Sequence, residues 1–217
     1  MIKGVLFDLD GTLLDRDNSL LRFAEDQYER IPELHHVDRD QYIRRFIELD
    51  ARGYVWKDNV YEQLVREMDL KLAWERLLED YVAGFRLHCT GYPHLREMLT
   101  VLKDRGMKLG IISNGFGEFQ WGSIRGLGIA DHFDVILISE LEGLRKPEPE
   151  IFRRALDRLE LHPEETAFVG DHPVYDVEAS RKVGMTAIWM KAAAGDASCE
   201  TDHSITDLME LPTLLRN

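Results

Sequence analysis

The sequence predicts an α/β chain, a Rossmann-like parallel sheet core with an all-helical segment inserted after the first strand. Three observations predict it. Short apolar runs recur with helix-period stretches between them, the alternation that builds a parallel sheet with right-handed crossovers. Each early run stops at polar residues, as buried strands do where they reach a ligand edge. Between the first run and the second, residues 15–88 carry helical periodicity and no strand pattern.

The first strand is Val5-Leu6-Phe7, climbing into Asp8-Leu9-Asp10-Gly11-Thr12. Asp8 and Asp10 are two apart and point to one side of an extended chain. Gly11 then allows a sharp turn. In the insert, Tyr42, Phe46 and Leu49 share a helix face, as do Val60, Leu64 and Met68, and Leu78, Tyr81, Val82 and Phe85. Asp38 and Asp58 are candidate N-caps, and Gly53 with Tyr54-Val55-Trp56 breaks the helices. Helices of this kind must cover one another's apolar faces, so the insert reads as a small bundle.

After Pro93 a helix is expected over residues 95–105, stopped by Gly106. A strand over 108–112 ends at Ser113-Asn114-Gly115, and a helix follows over 118–127 with Trp121 in its core face. A third strand spans 134–139. Pro147 and Pro149 open a helix carrying Ile151, Phe152, Ala155 and Leu159. The fourth strand, 166–170, ends at Asp171. A helix over 177–183, with Asp176 as a possible N-cap, is closed by Gly184, and a fifth strand spans 186–190. Residues 192–202 read as loop, and a last helix is expected over 205–215. The domain boundaries implied are 1–14 with 89–217 for the core and 15–88 for the helical insert.

At 217 residues the chain can bury one good-sized core and carry a smaller lobe. Its net charge of -13, from 40 acids against 27 bases, opposes nucleic acid and anionic membranes as partners. A small anionic substrate remains compatible, because a local lysine and a metal ion outweigh a diffuse field. Cys89 and Cys199 lie far apart in no metal-ligand spacing, which suits a reduced compartment. With no signal-type segment and no apolar run long enough to span a bilayer, a cytoplasmic location is expected, as monomer or homodimer.

The strand ends collect Asp8 and Asp10, Ser113 and Asn114, and Asp171, with Lys146 and Asp176 in adjoining loops. Taken singly, each has a simpler role as a turn, a cap or a solvated charge; His172, alone in its loop, reads as solvated. Jointly they suit one chemistry. Clustered carboxylates without His or Cys favour a hard cation such as Mg²⁺. A carboxylate can attack phosphorus once charge is partly neutralised. A hydroxyl and a backbone N–H after a strand can hold phosphate oxygens, as Ser113 and Asn114 would. A second acid can protonate a leaving oxygen and later activate water.

Asp8-Leu9-Asp10-Gly11-Thr12, Ser113-Asn114, Lys146-Pro147 and Gly170-Asp171 with Asp176 resemble the four motifs of the haloacid-dehalogenase-like hydrolase superfamily, over essentially the whole chain. The helical insert is similar to that family's cap. The resemblance implies that Asp8 is the nucleophile forming an aspartyl-phosphate and Asp10 the general acid and base. It implies Mg²⁺ held by Asp8, the backbone carbonyl of Asp10, and Asp171, with Asp176 acting through water or by orienting Lys146. Ser113 and Lys146 would hold the phosphate, and Thr12 and Asn114 are counted with the substrate-binding residues. True dehalogenases of the family carry Tyr in place of Asp10 and use no metal, so Asp10 favours a phosphatase acting on a small phosphorylated metabolite. The alternatives are a phosphomutase or a haloacid dehalogenase of the same superfamily, or a non-catalytic binding protein on the same fold. Ser113-Asn114-Gly115-Phe116 also resembles the second motif of nucleotidase-like and sugar-phosphatase-like members.

Substrate discrimination is expected from the cap. Tyr54, Trp56 and Lys57 are the candidate patch, two aromatics able to stack and a cation able to meet a second anionic group. The alternative is that Tyr54 and Trp56 pack the cap against itself.

Overall fold

The computed structural model describes residues 1–191 and 199–215. The expected loop at 192–202 therefore lies largely outside the described residues. The chain divides into two compact units, Met1–Asp15 with Gly91–Asn217, and Arg16–Thr90.

The Arg16–Thr90 unit is helical, with α1 (Arg16–Arg30), α2 (Arg39–Asp50), α3 (Lys57–Glu67) and α4 (Trp74–Gly84). Its helices pack α1 on α2, α2 on α3, α3 on α4 and α4 on α1. The interior is aromatic: Phe23, Tyr42, Phe46, Tyr61, Tyr81 and Phe85 are all buried. The phenols of Tyr42 and Tyr61 both donate to Gln27 Oε1 at 2.9 Å, so their polar ends are satisfied inside the bundle. Asp38 caps α2 by accepting from the Gln41 N–H at 2.9 Å. Asp58 does not cap α3: that helix begins at Lys57 behind Trp56, leaving Asp58 in the first turn, where its charge still faces the helix dipole favourably. The face expected on α4 is rotated, with Leu77, Tyr81 and Phe85 buried and Val82 exposed.

The α/β unit is built on a parallel sheet. Its strands are β1 (Gly4–Phe7), β2 (Lys108–Ser113), β3 (Val135–Ile138), β4 (Thr166–Gly170), β5 (Thr186–Met190) and β6 (His203–Ile205). Among the described residues the order is β3-β2-β1-β4-β5-β6, every neighbouring pair parallel. Sequential strands run outward from β1 on one side, then restart at β4 on the other. The order thus reverses between β1 and β4, where ligand crevices form. Helices α5 (Leu95–Asp104), α6 (Gly117–Leu127), α7 (Ser139–Glu142), α8 (Pro149–Leu159), α9 (Ala179–Val183) and α10 (Glu210–Leu214) complete the unit. The expected face of α8 is its buried face: Ile151, Phe152, Ala155 and Leu159 pack in one cluster with Leu6, Ile112 and Phe168 of the sheet.

Three details differ from the sequence expectation. The helix expected from Val177 starts as a π-helical turn, Pro173–Glu178, before α9. Its cap is His172, whose Nδ1 accepts from the Val174 and Tyr175 N–H groups at 3.1 Å, and not Asp176. The helix expected over 205–215 shortens to α10, and a sixth strand absent from the expectation, β6, precedes it. β6 is three residues long and owes its extended form to pairing with β5, which local pattern cannot reveal.

Candidate active site

β1 pairs in register with both β2 and β4, so its carboxyl end is central. Asp8 continues that ladder by one residue, its N–H donating to Val169 O at 2.9 Å. Gly11 follows with φ +84°, and a Cβ there would lie 2.4 Å from Asp171 Oδ2. Only glycine allows both the turn and the close approach of the β4 loop. The Asp171 carbonyl is held from β5 by Trp189 Nε1 at 2.9 Å.

Lys146 links the carboxylates. It is 3% exposed, and its ammonium donates to Asp8 Oδ1 at 2.5 Å and to Asp176 Oδ1 at 2.6 Å. Asn114, at the end of β2, delivers it. The Asn114 side chain donates to Lys146 O and accepts from Lys146 N–H, both at 2.9 Å. Asp176 Oδ2 accepts the His172 N–H at 2.9 Å, so this buried carboxylate ties the β4 loop to Lys146.

Burial pushes the Asp8 carboxyl well above its usual range; Lys146 opposes this, while Asp176, Asp171 and Asp10 add to it. Asp171 is raised to about 7, by burial first and by Asp176 next. Burial disfavours the Lys146 charge, but Asp176 and Asp8 outweigh it and hold the ammonium protonated above its ordinary range.

Asp8, Asp171 and Asp176 each offer a carboxylate oxygen, all within 4.8 Å of one another. An oxygen-only donor set whose members resist ionising together fits a hard divalent cation. Since both Asp176 oxygens already accept hydrogen bonds, Asp8 and Asp171 are the better placed side chains to hold it, with Asp176 behind them.

Ser113 is buried at the end of β2. Thr12 is fully buried, and its hydroxyl has no hydrogen-bond partner. Gln120 of α6 is absent from the sequence expectation, yet its Nε2 lies 2.6 Å from both Asp10 Oδ2 and Ser113 Oγ. A polar residue one turn into the helix after a polar strand end was the available signal. Trp121, expected in the core, is half-buried with Arg125 over its ring. His172, expected in solvent, is half-buried and stacked on Tyr175 at 4.1 Å, with burial holding its pKa below the ordinary value.

In the helical unit the candidate patch separates. Tyr54 is 68% exposed. Trp56 is half-buried, its ring edge-on to Tyr81. Lys57 is 1% exposed, bonded to Asp50, with Tyr81 and Phe46 rings beside its ammonium. Lys57 is therefore removed from the patch. Its charge is buried and paired, and turning it toward a ligand would break that pair.

A family profile described as haloacid dehalogenase-like hydrolase matches residues 5–190. This chain belongs to that family. The glyceraldehyde 3-phosphate phosphatase of Pyrococcus furiosus is 31% identical, covering 99% of this chain and 93% of its own. The enzyme of the same name from Methanocaldococcus jannaschii is 30% identical over 100% of this chain and 98% of its own. A crystal structure of a HAD phosphatase from Thermococcus onnurineus superposes with a TM-score of 0.69 at 31% identity, covering 99% and 98% of the two chains. In fold, the hydrolase YfnB of Bacillus subtilis, described as bound to magnesium, is similar at a TM-score of 0.80 and 22% identity, over 100% and 99%.

Proposed function

We propose that this hydrolase is a Mg²⁺-dependent phosphatase that cleaves a small phosphorylated metabolite through an aspartyl-phosphate on Asp8. The observation that carries the reading is the buried Asp8 carboxylate, bonded to Lys146 and grouped with Asp171 and Asp176. The names of the glyceraldehyde 3-phosphate phosphatases, and of a phosphoserine phosphatase from Thermus thermophilus, support the same class. Asp8 and Asp171, with the Asp10 carbonyl, would hold Mg²⁺; when bound, the ion supplies positive charge that keeps both carboxylates ionised and offsets that of the phosphate.

The chain's own residues then divide the work. An Asp8 oxygen attacks phosphorus, and the ester oxygen departs with a proton from Asp10. Asp10 next takes a proton from water, the water oxygen attacks the same phosphorus, and phosphate leaves with Asp8 restored. The Lys146 ammonium and the Ser113 hydroxyl hold phosphoryl oxygens, and Asp176 orients Lys146. Thr12, with its unpartnered hydroxyl, and Asn114 line the same strand ends. Selectivity among esters is assigned to Tyr54 and Trp56 of the helical unit. A cytoplasmic location, as monomer or homodimer, belongs to the same proposal; neither Cys89 nor Cys199 is in a disulfide, and no described helix is long and apolar enough to cross a membrane.

The test is phosphate release from a panel of phosphorylated metabolites, with glyceraldehyde 3-phosphate first because relatives carry its name. Turnover is expected with Mg²⁺, none with a chelator, and a loss of at least about 10³-fold in Asp8→Asn, as for removal of a nucleophile. Asp8→Asn turnover within tenfold of wild type, roughly the scale of a non-essential contact, would sink the assignment.

A further inference from the structure

Asp10 lies two residues beyond Asp8, just past the end of β1, where Asp8 groups with the Asp171 and Asp176 carboxylates. Like charges that close separate when they can, so a carboxylate meant to exchange protons at a fixed point needs a tether. Lys146 does not supply one, since its ammonium is bonded to Asp8 and Asp176. Helix α6 supplies one. Gln120 is 3% exposed, and its Nε2 reaches Asp10 Oδ2 and Ser113 Oγ at 2.6 Å each. Asp10 as a carboxylate only accepts, which identifies the atom facing it as the amide nitrogen. Gly115 makes room: a Cβ there would sit 2.9 Å from Gln120 Cγ.

We infer that Gln120 is a positioning residue whose single amide group sets Asp10 and Ser113 together. One N–H anchors a carboxylate oxygen of Asp10. The other occupies the Ser113 oxygen, so the Ser113 hydroxyl must give its own proton to another acceptor, a phosphoryl oxygen. A neutral donor suits this place. A cation would hold Asp10 more firmly but would also oppose its protonation, and Asp10 must carry a proton to the leaving group. The assignment rests on the phosphatase reading, in which Asp10 is the general acid.

The experiment compares kcat/KM for two esters, p-nitrophenyl phosphate, whose leaving group departs without a proton, and an alkyl phosphate such as glycerol phosphate, whose leaving group needs one. Gln120→Met, of similar length but without donors, is expected to lose about tenfold more on the alkyl ester than on the aryl one, within the range of general acid catalysis. Asp10→Asn should show the same pattern, and the double variant no further discrimination. Gln120→Glu keeps the shape if Gln120→Met fails to fold. Its carboxylate puts an acceptor where Asp10 had a donor, so it should show the same selective loss on the alkyl ester. An equal loss on both esters, or none, overturns the inference. A crystal structure of the Gln120 variant separates this from failure of the phosphatase reading. An Asp10 carboxylate left in place overturns the positioning role whatever the activity. A displaced Asp10 carboxylate supports it even if wild type hydrolyses neither ester, which would overturn the phosphatase reading alone.

Discussion

One side chain, Asn114, holds the loop that brings Lys146 to Asp8. It bonds both the N–H and the carbonyl of Lys146, a reciprocal grip that a strand neighbour would otherwise provide. Asn114→Ala leaves two backbone groups without these partners, in a place only partly open to water. It should cost about 1–3 kcal/mol, read from urea denaturation. Because the Lys146 ammonium shifts with its backbone, turnover should fall in the same variant even where the protein is fully folded. A folded Asn114→Ala protein with wild-type turnover would show that Lys146 finds its place without this grip. The Ser113-Asn114-Gly115 turn was visible in the sequence. That the asparagine faces Lys146, 32 residues on, was not.

At the scale of elements, the helical unit is joined at Asp50. This carboxylate ends α2, accepts the Gly53 N–H at 2.9 Å, takes both nitrogens of the Arg16 fork at 2.7 and 2.8 Å, and bonds Lys57 at the start of α3. Burial would raise its pKa, but Arg16 and Lys57 hold it below the usual range. Asp50→Ala takes from the buried Lys57 and the half-buried Arg16 the carboxylate they share and should cost about 3–5 kcal/mol by denaturation. Lys57→Met should cost less, since Asp50 keeps its Arg16 fork and an apolar chain replaces a buried charge. Equal costs would show that Arg16 alone does not satisfy Asp50. Trp56 sits in the break before α3, half-buried beside Tyr81. Trp56→Ala is expected to change the ranking of phosphate esters by kcat/KM more than it slows p-nitrophenyl phosphate. A uniform slowing of every ester would make Trp56 a packing residue.

For the whole molecule, the controlling term is the charge collected at the carboxyl end of the sheet. A cation that binds only the folded arrangement stabilises it by about 2.7 kcal/mol at a hundredfold excess over its Kd. For a chain of this length, that raises the melting midpoint by about 5–10 °C. An unchanged midpoint at saturating Mg²⁺ and constant ionic strength would count against a preformed metal site. The metal-free protein should also respond to pH. Asp171 titrates at about 7 in the fold against about 3.9 in an unfolded chain. The fold therefore holds an extra proton between those values, and the stability this gives is lost as pH rises through 7. In chelator, the wild-type midpoint should fall relative to that of Asp171→Asn as pH rises from about 5 to about 8. The comparison cancels His172, whose lowered pKa works in the opposite sense. Saturating Mg²⁺ should abolish the fall.

The sequence by itself determined the alternation of strands and helices, the helical insert between β1 and β2, and the polar residues that end β1, β2 and β4. These are local properties: side-chain period, turn residues and the point where an apolar run stops are all written within a few positions of each other. Tertiary structure alone decided the strand order that puts β1 between β2 and β4, the inward turn of Lys57, the bond from Asp176 to Lys146 and the reach of Gln120 to Asp10. Each of these depends on a partner brought close only by folding. Lys57 reads as a surface cation until Arg16 and Asp50 form a network with it, and Gln120 reads as a solvated helix residue until the fold sets its amide against Asp10 and Ser113. A charge or an amide is placed by the groups that compensate its desolvation, and those groups lie as far as 138 positions away in the chain, as Asp8 does from Lys146.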